Sequence, residues 1–62
     1  MTKLSNRRKE LGISQKELAE KSGINLRTLQ DYEQGRKDIK KASVTTVLTL
    51  SLVLKCKIED II

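Results

Sequence analysis

The segment SQKELAEKSGINLRTLQDYEQG, residues 14–35, contains a start signal and a stop signal for each of two short helices. Ser14 precedes Glu17 by three residues, the spacing of a capping box, in which each side chain accepts a hydrogen bond from the other residue's backbone N–H. Gly23 then supplies the left-handed backbone conformation that commonly ends a helix. The pattern predicts the first of the two helices over residues 15–22.

The second half of the segment repeats this arrangement. Asn25 is a favoured N-cap residue, because its side-chain oxygen can accept from the free N–H groups of the first helical turn. Leu29 and Tyr32 form an apolar inner face, and Gly35 follows as the stop signal. We predict the second helix over residues 26–34, joined to the first by a short glycine turn.

Three further helices are predicted around this pair, over residues 2–11, 43–54 and 58–62. Within residues 48–54, leucines alternate with threonine, serine and valine as in a β-strand, although the apolar residues also fit one face of a helix. The pattern alone leaves helix and strand open for this segment. The predicted fold class is all-α, a compact bundle of five helices that forms a single domain over residues 1–62.

The composition argues against several classes of function. Histidine is absent and Cys56 is the single cysteine, so the chain offers neither an internal disulfide nor a usual zinc site. We interpret Cys56 as a small buried hydrophobic residue. Paired carboxylates in an apolar setting and a glycine-rich phosphate loop are also absent. We therefore expect no enzyme activity, no metal, no cofactor and no small-molecule ligand.

The first residues lack the apolar stretch of a signal peptide, and residues 44–54 are too short and too rich in Thr and Ser to span a bilayer. We expect a cytoplasmic protein without membrane contact. The net charge of +5 is unevenly spread, because residues 1–41 carry eleven Lys and Arg against six Asp and Glu. Residues 42–62 carry two of each sign. This distribution indicates a polyanionic partner on one side, although a basic surface that is merely solvated stays open.

Two helices with Ala19 and Gly23 at this spacing, with their caps and the basic loop that follows, resemble the helix-turn-helix of the Cro/lambda-repressor-like family, the small XRE-type DNA-binding domains. The resemblance extends from Leu4 to Ile62. It implies a lambda-repressor-like five-helix fold whose third helix lies in the major groove of double-stranded DNA while the second crosses the backbone. It also implies a possible homodimer on a palindromic operator.

The resemblance assigns roles to individual residues. Gln15 matches a position that contacts phosphate or steadies a base-reading side chain, and Thr28 is placed to touch a phosphate. The base-facing positions are Asn25, Leu26, Arg27 and Asp31. Further contacts to the DNA backbone are expected from Gln34, Arg36, Lys37, Lys40 and Lys41, and from Arg7, which we expect to be free to approach phosphate.

Side-chain chemistry supports the base-reading roles independently. Arg27 can donate two N–H groups to guanine O6 and N7, and Asn25 can pair with adenine if it is not fully used as a cap. Leu26 fits a thymine methyl group or is simply an exposed apolar residue. Asp31 can accept from cytosine N4, but it also follows Arg27 by four residues, so an ordinary surface ion pair stays open.

Two other features follow from the resemblance. Arg8 and Glu33 occupy positions that often form an ion pair between the first and third helices, which orients helices more than it stabilises them. Leu52 stands where the family usually has an exposed polar residue, and Lys55 replaces the expected Gly or Asn after the fourth helix. An apolar surface of Leu52, Ile58, Ile61 and Ile62 is therefore predicted as a dimer interface, with a slightly larger core as the alternative.

The predicted function is sequence-specific binding of double-stranded DNA by a transcriptional regulator, a repressor that acts by occupying its operator. The alternative is an antitoxin-like or anti-repressor module that binds a protein partner through the apolar C-terminal face. The alternative predicts that C-terminal substitutions such as Leu52→Glu abolish function while Arg27→Ala does not.

Overall fold

The computed structural model describes residues 2–62, which contain four α-helices and no β-strand. The all-α prediction is confirmed, and the predicted boundaries of these helices are right to within about one residue. The helices are α1 (Lys3–Glu10), α2 (Gln15–Ser22), α3 (Leu26–Glu33) and α4 (Val44–Val53). Single 3-10 turns cover Ile39–Lys41 and Ile58–Asp60.

Each α-helix begins at a side chain that caps it. The Thr2 hydroxyl accepts from the backbone N–H of Ser5, and the Ser14 hydroxyl accepts from that of Glu17. Asn25 and Ser43 cap α3 and α4 in the same way. A cap of this kind contributes about 1 kcal/mol, because it satisfies an N–H group that the helix itself leaves free.

The core is built from one apolar face of each helix and from the last turn. Leu4, Leu18, Leu29 and Leu50 are each at most 1% exposed and come one from each helix. The other buried apolar residues are Ala19, Val47, Leu54 and Ile61. This small core leaves the opposite faces of α3 and α4 exposed to solvent.

Residues 44–53 are helical, which resolves the choice between helix and strand. Val47, Leu50 and Leu54 are buried at helical spacing, whereas a strand would direct Val47 and Leu50 to opposite sides. Ser51 is also on the inner face, where its hydroxyl donates to the Leu48 carbonyl oxygen at 2.7 Å. The polar side chain is thus satisfied within the helix and does not disrupt the core.

The fifth predicted helix, residues 58–62, is only a 3-10 turn over Ile58–Asp60. Lys57 has no side-chain acceptor and cannot provide a Ser- or Thr-type cap. The Asp60 carboxylate accepts from the backbone N–H of Lys57 at 3.1 Å, which closes the turn from its other end. The five-helix count is therefore wrong by one, because this short segment forms a single turn.

Lys55 ends α4 in a left-handed conformation, with a φ of 54°. The N–H of Cys56 donates to the Ser51 carbonyl oxygen and that of Lys55 to the Leu52 carbonyl oxygen, the bonding of a Schellman motif. This arrangement normally uses glycine at the position of Lys55, because a side chain there costs about 1–2 kcal/mol.

We expect Lys55→Gly to raise the free energy of unfolding by about 1 kcal/mol, because it removes this cost and keeps the hydrogen bonds of the cap. Urea unfolding followed by circular dichroism measures the change. Gly23→Ala is the matched control, and it should lower the free energy of unfolding, because it places a side chain on a residue with a φ of 71°. An added Cβ at Gly23 meets no atom within 4 Å, so the backbone conformation alone causes the change. If the Lys55→Gly variant is no more stable than the wild type, the left-handed backbone at Lys55 is not strained.

Candidate nucleic-acid interface

A glycine turn sets the direction in which α3 leaves α2. Gly23 is left-handed, and the backbone N–H of Ile24 donates to the Ala19 carbonyl oxygen at 3.1 Å. Ala19 is buried, and its small side chain allows the two helices to pack closely. The turn therefore presents the outer face of α3 on the surface beside the beginning of α2.

Two of the predicted base-reading residues are exposed at the start of α3. The Arg27 side chain is 75% exposed, and Leu26 is 39% exposed. Thr28, on the next position of the helix, is half-buried. Arg27 and Leu26 can therefore reach a molecule that approaches this face without any rearrangement of the fold.

Asn25 is engaged as the cap of α3. Its Oδ1 accepts from the backbone N–H of Arg27 at 2.8 Å and from that of Thr28 at 3.4 Å. Bidentate adenine reading requires the same oxygen as an acceptor for the base amino group. The cap therefore competes with the predicted adenine contact and leaves the Nδ2 donor as the better-placed group.

Asp31 contacts two arginines through one carboxylate oxygen. Its Oδ1 lies 2.9 Å from Arg36 Nε and 3.4 Å from Arg27 Nε, and the side chain is only 14% exposed. The hydrogen bond from Arg36, with the positive charge of Arg27, holds the pKa of the Asp31 carboxyl below its usual value. Asp31 stays ionised at neutral pH, and this geometry favours the ion-pair alternative over cytosine reading.

A buried carboxylate joins α1, α2 and α3. Glu33 Oε2 lies 2.8 Å from Arg8 Nε, and its Oε1 accepts from Arg8 Nη2 at 3.0 Å. Arg8 Nη1 also donates to the Ile13 carbonyl oxygen at 2.8 Å. Gln15 Nε2 donates to Glu33 Oε1 at 3.2 Å. The structure therefore forms the predicted Arg8–Glu33 pair and attaches Gln15 to it.

Gln30 belongs to the same network and was missed by the sequence analysis. Because the Glu33 carboxylate can only accept, Gln15 turns its amide nitrogen towards it, and its Oε1 accepts from Gln30 Nε2 at 3.4 Å. Gln30 is half-buried between the first turn of α2 and the exposed face of α3. No local pattern identifies it, because these two glutamines become neighbours only when the helices pack.

The loop after α3 carries a group of exposed polar and positively charged side chains. Ile39 packs partly buried against the core, and the Asp38 carboxylate accepts from the backbone N–H of Lys40 at 3.0 Å, so the loop has a fixed shape. The exposed residues predicted to contact a nucleic-acid backbone are Gln34, Arg36, Lys37, Lys40 and Lys41.

Arg7 has a structural partner, contrary to the prediction that it is free to approach phosphate. Its Nε donates to the Leu54 carbonyl oxygen at 2.9 Å, and its Nη2 donates to the Lys55 carbonyl oxygen at 3.2 Å. A positive charge at the C-terminus of a helix is stabilising because it offsets the partial negative charge there. Arg7 therefore holds the end of α4 against α1.

The predicted dimer-interface residues differ in their exposure to solvent. Ile61 is 1% exposed and belongs to the core, and Ile58 packs partly buried against that core. Leu52 is 69% and Ile62 38% exposed. The prediction is corrected for Ile61, because the last turn folds this side chain into the core, and it stays a prediction for Leu52, Ile58 and Ile62.

Cys56 is partly buried against the core, and burial raises the pKa of its thiol. This environment suits a neutral hydrophobic side chain, not a reactive thiolate. Within residues 2–62, no group of three or more His, Cys, Asp or Glu side chains is arranged to hold a metal ion. None of the helices in that range is long and apolar enough to cross a membrane.

A comparison with protein-family models matches residues 4–61 to the helix-turn-helix family. Comparisons with curated proteins and with solved structures give no match. The family match covers nearly the whole chain and includes the capped α2, the glycine turn and the exposed α3 described above. The chain therefore belongs to the helix-turn-helix family of the Cro/C1-like type, whose domains bind double-stranded DNA and regulate transcription.

Proposed function

We propose that this protein reads a specific sequence of double-stranded DNA and represses transcription by occupying its operator. The observation that carries the proposal is the placement of Arg27, on the exposed face of α3 and beside Asp31. The Nε of Arg27 faces Asp31, and its terminal Nη groups can donate to guanine O6 and N7, the commonest specific contact in the major groove. The cytoplasm is the compartment we expect for this activity.

The other residues of this face have complementary roles in the proposal. Leu26 contacts a thymine methyl group, and the free amide donor of Asn25 faces a base-edge acceptor. Asp31 positions Arg27 and Arg36 as a fixed pair of cations, because it contacts both of them. Asp31 is thus a positioning residue in the proposal, and cytosine reading is the secondary role.

Affinity independent of sequence comes from the side chains that surround α3. Thr28 and the second amide N–H of Gln15 contact phosphate at the beginnings of α3 and α2. Gln34, Arg36, Lys37, Lys40 and Lys41 contact it from the loop. These contacts fix the position of α3 in the groove and make binding strongly dependent on salt.

A second candidate function is an antitoxin-like or anti-repressor module that binds a protein partner. The observation that favours it is the exposed apolar surface at Leu52, which DNA does not require. In that case substitutions at Leu52 would abolish function and Arg27→Ala would not. We favour DNA reading as the main function, and a homodimer on a palindromic operator uses the apolar surface as well.

Selection of binding sites from a random duplex library at about 150 mM salt tests the proposal, because weak non-specific binding is suppressed there. We expect enrichment of one motif with a guanine in each half-site. Half-sites about one helical turn apart would identify a symmetric dimer on the DNA. A library that emerges without enrichment would reject sequence-specific reading and favour the protein-partner module.

We expect Lys40→Ala to weaken binding to all duplexes alike and to reduce the magnitude of the salt slope by about one, because one phosphate contact is lost. Titrations of cognate and unrelated duplexes over a range of salt concentrations measure both effects. Lys57→Ala is the matched control, since it removes the same charge from the last turn, away from α3. If Lys40→Ala and Lys57→Ala show the same salt slope of DNA binding, Lys40 does not contact the DNA backbone.

A further inference from the structure

Gln30 lies on the surface of α3 beside two of the residues that we propose to face the bases. It follows Leu26 by four residues and Arg27 by three, so its side chain is a neighbour of both on the helix. Leu26 and Arg27 are exposed, whereas Gln30 is half-buried and contacts Gln15 at the first turn of α2. Gln30 is therefore placed at the edge of the proposed base-reading surface.

The two ends of the Gln30 amide have different surroundings. Its Nε2 donates to Gln15 Oε1 at 3.4 Å, whereas its Oε1 accepts no hydrogen bond from residues 2–62. Over the same residues, every buried side-chain nitrogen and oxygen atom has a hydrogen-bond partner. Because Gln30 Oε1 has none, it is not a buried atom, and solvent or a ligand can reach it.

The orientation of this amide follows from the charge of Glu33. Glu33 is 3% exposed and accepts two hydrogen bonds from Arg8. Because a carboxylate only accepts, Gln15 directs its Nε2 to Glu33 Oε1, at 3.2 Å, and its oxygen towards α3. Only a donor can meet that oxygen, so Gln30 meets it with Nε2. The buried carboxylate thus leaves the oxygen of Gln30 as the end that faces outward.

An outward amide oxygen recognises one class of base edge. In the major groove, adenine N6 and cytosine N4 are amino groups that donate a hydrogen bond, whereas guanine O6 and thymine O4 are acceptors. An amide oxygen accepts from the amino groups and is repelled by the carbonyl oxygens. A glutamine that is free to rotate would accommodate both classes, because its amide can present either its donor or its acceptor.

We propose that Gln30 is a specificity-determining residue that accepts a hydrogen bond from the exocyclic amino group of adenine or cytosine. Glu33 is a positioning residue that imposes this preference through Gln15, although it is buried and does not touch DNA. The inference rests on the proposed DNA reading and deepens it, since it adds a base contact close to the guanine that Arg27 binds.

Selection from a random duplex library at about 150 mM salt, with the wild type and with Gln30→Met, tests the base contact. We expect Gln30→Met to lose a roughly five- to tenfold preference for adenine or cytosine at one position of the half-site, while the guanine preference of Arg27 remains. Duplexes that carry each of the four bases at this position distinguish adenine from cytosine. An unchanged motif, or guanine or thymine at the affected position, would overturn the reading role of Gln30.

Two further variants test the positioning role of Glu33. In Gln15→Met, and in the double variant Arg8→Met with Glu33→Met, the Gln30 amide is no longer oriented, so the same position should also accept guanine and thymine. Gln34→Met is the control, since Gln34 is outside this chain of hydrogen bonds and its replacement should leave the base preferences unchanged. If the preference for an amino group persists in both variants, Glu33 does not set the orientation of Gln30.

Nuclear magnetic resonance of the protein without DNA separates this inference from the proposed function. The side-chain NH2 resonances of Gln30 should shift in Gln15→Met, because a hydrogen bond is lost, and those of Gln34 should not. Unmoved Gln30 resonances would overturn the positioning role even if DNA is read. Shifted resonances in a protein that enriches no DNA motif would instead reject DNA reading, and the base contact of Gln30 with it.

Discussion

Replacing Arg8 by Met should lower the free energy of unfolding by about 3–5 kcal/mol, because the buried Glu33 side chain would lose the guanidinium that pairs with it. The Glu33 side chain is 3% exposed and that of Arg8 is 12% exposed, so water cannot take the place of the lost guanidinium. A domain of this size has a modest total stability, and the variant should therefore be largely unfolded at elevated temperature. Urea and thermal unfolding, followed by far-ultraviolet circular dichroism, measure the loss.

The double variant Arg8→Met with Glu33→Met is the control. Both charges are then absent, and apolar side chains of similar length fill the space, so the double variant should be more stable than Arg8→Met alone. The difference between the two measures the cost of an unpaired buried carboxylate. If Arg8→Met is as stable as the wild type, water must solvate Glu33, and the Arg8–Glu33 pair does not stabilise the fold.

Replacing Arg27 by Ala should weaken binding to the selected DNA site by about 1–3 kcal/mol and remove the preference at one base pair of each half-site. The effect is specific because Arg27 is exposed and far from the core, so the free energy of unfolding should change little. Equilibrium titrations with the preferred duplex and with duplexes altered at each position measure both quantities.

Arg27→Lys separates base reading from charge. It keeps the positive charge but lacks the planar pair of donors of the guanidinium, so the preference for guanine should weaken while non-specific affinity remains close to that of the wild type. If Arg27→Ala instead weakened binding to all duplexes equally, Arg27 would be a phosphate contact. The base-reading role would then have to pass to Asn25 or Leu26.

Several interactions described above are coupled through Glu33. Its carboxylate orients Gln15, and Gln15 in turn contacts Gln30 at the edge of α3. The hydroxyl of Thr2 donates to the Glu33 backbone carbonyl oxygen at 3.0 Å. Thr2, the N-cap residue of α1, therefore also contacts the end of α3. The exposed face of α3 is thus held by a buried polar network as well as by apolar packing.

The existence and limits of α1, α2 and α3, and the point at which α4 begins, could be predicted from the sequence, because the signals are local. Ser14, Asn25 and Ser43 accept from backbone N–H groups two or three residues ahead, and Gly23 adopts its conformation for reasons internal to the turn. Such bonds depend on the identity of a few neighbouring residues. For the same reason, the exposed position of Arg27 on α3 followed from the placement of the cap and the apolar face.

The sequence by itself thus determined the helix-turn-helix and the residues that face outward from it. Only the tertiary structure decided that 44–53 is helical, that Ile61 is buried, and that Arg7 donates to carbonyl oxygens of Leu54 and Lys55, 47 and 48 residues away. Capping is decided within one turn of the chain. The direction in which an apolar or charged side chain points across the bundle depends on which distant helix packs against it.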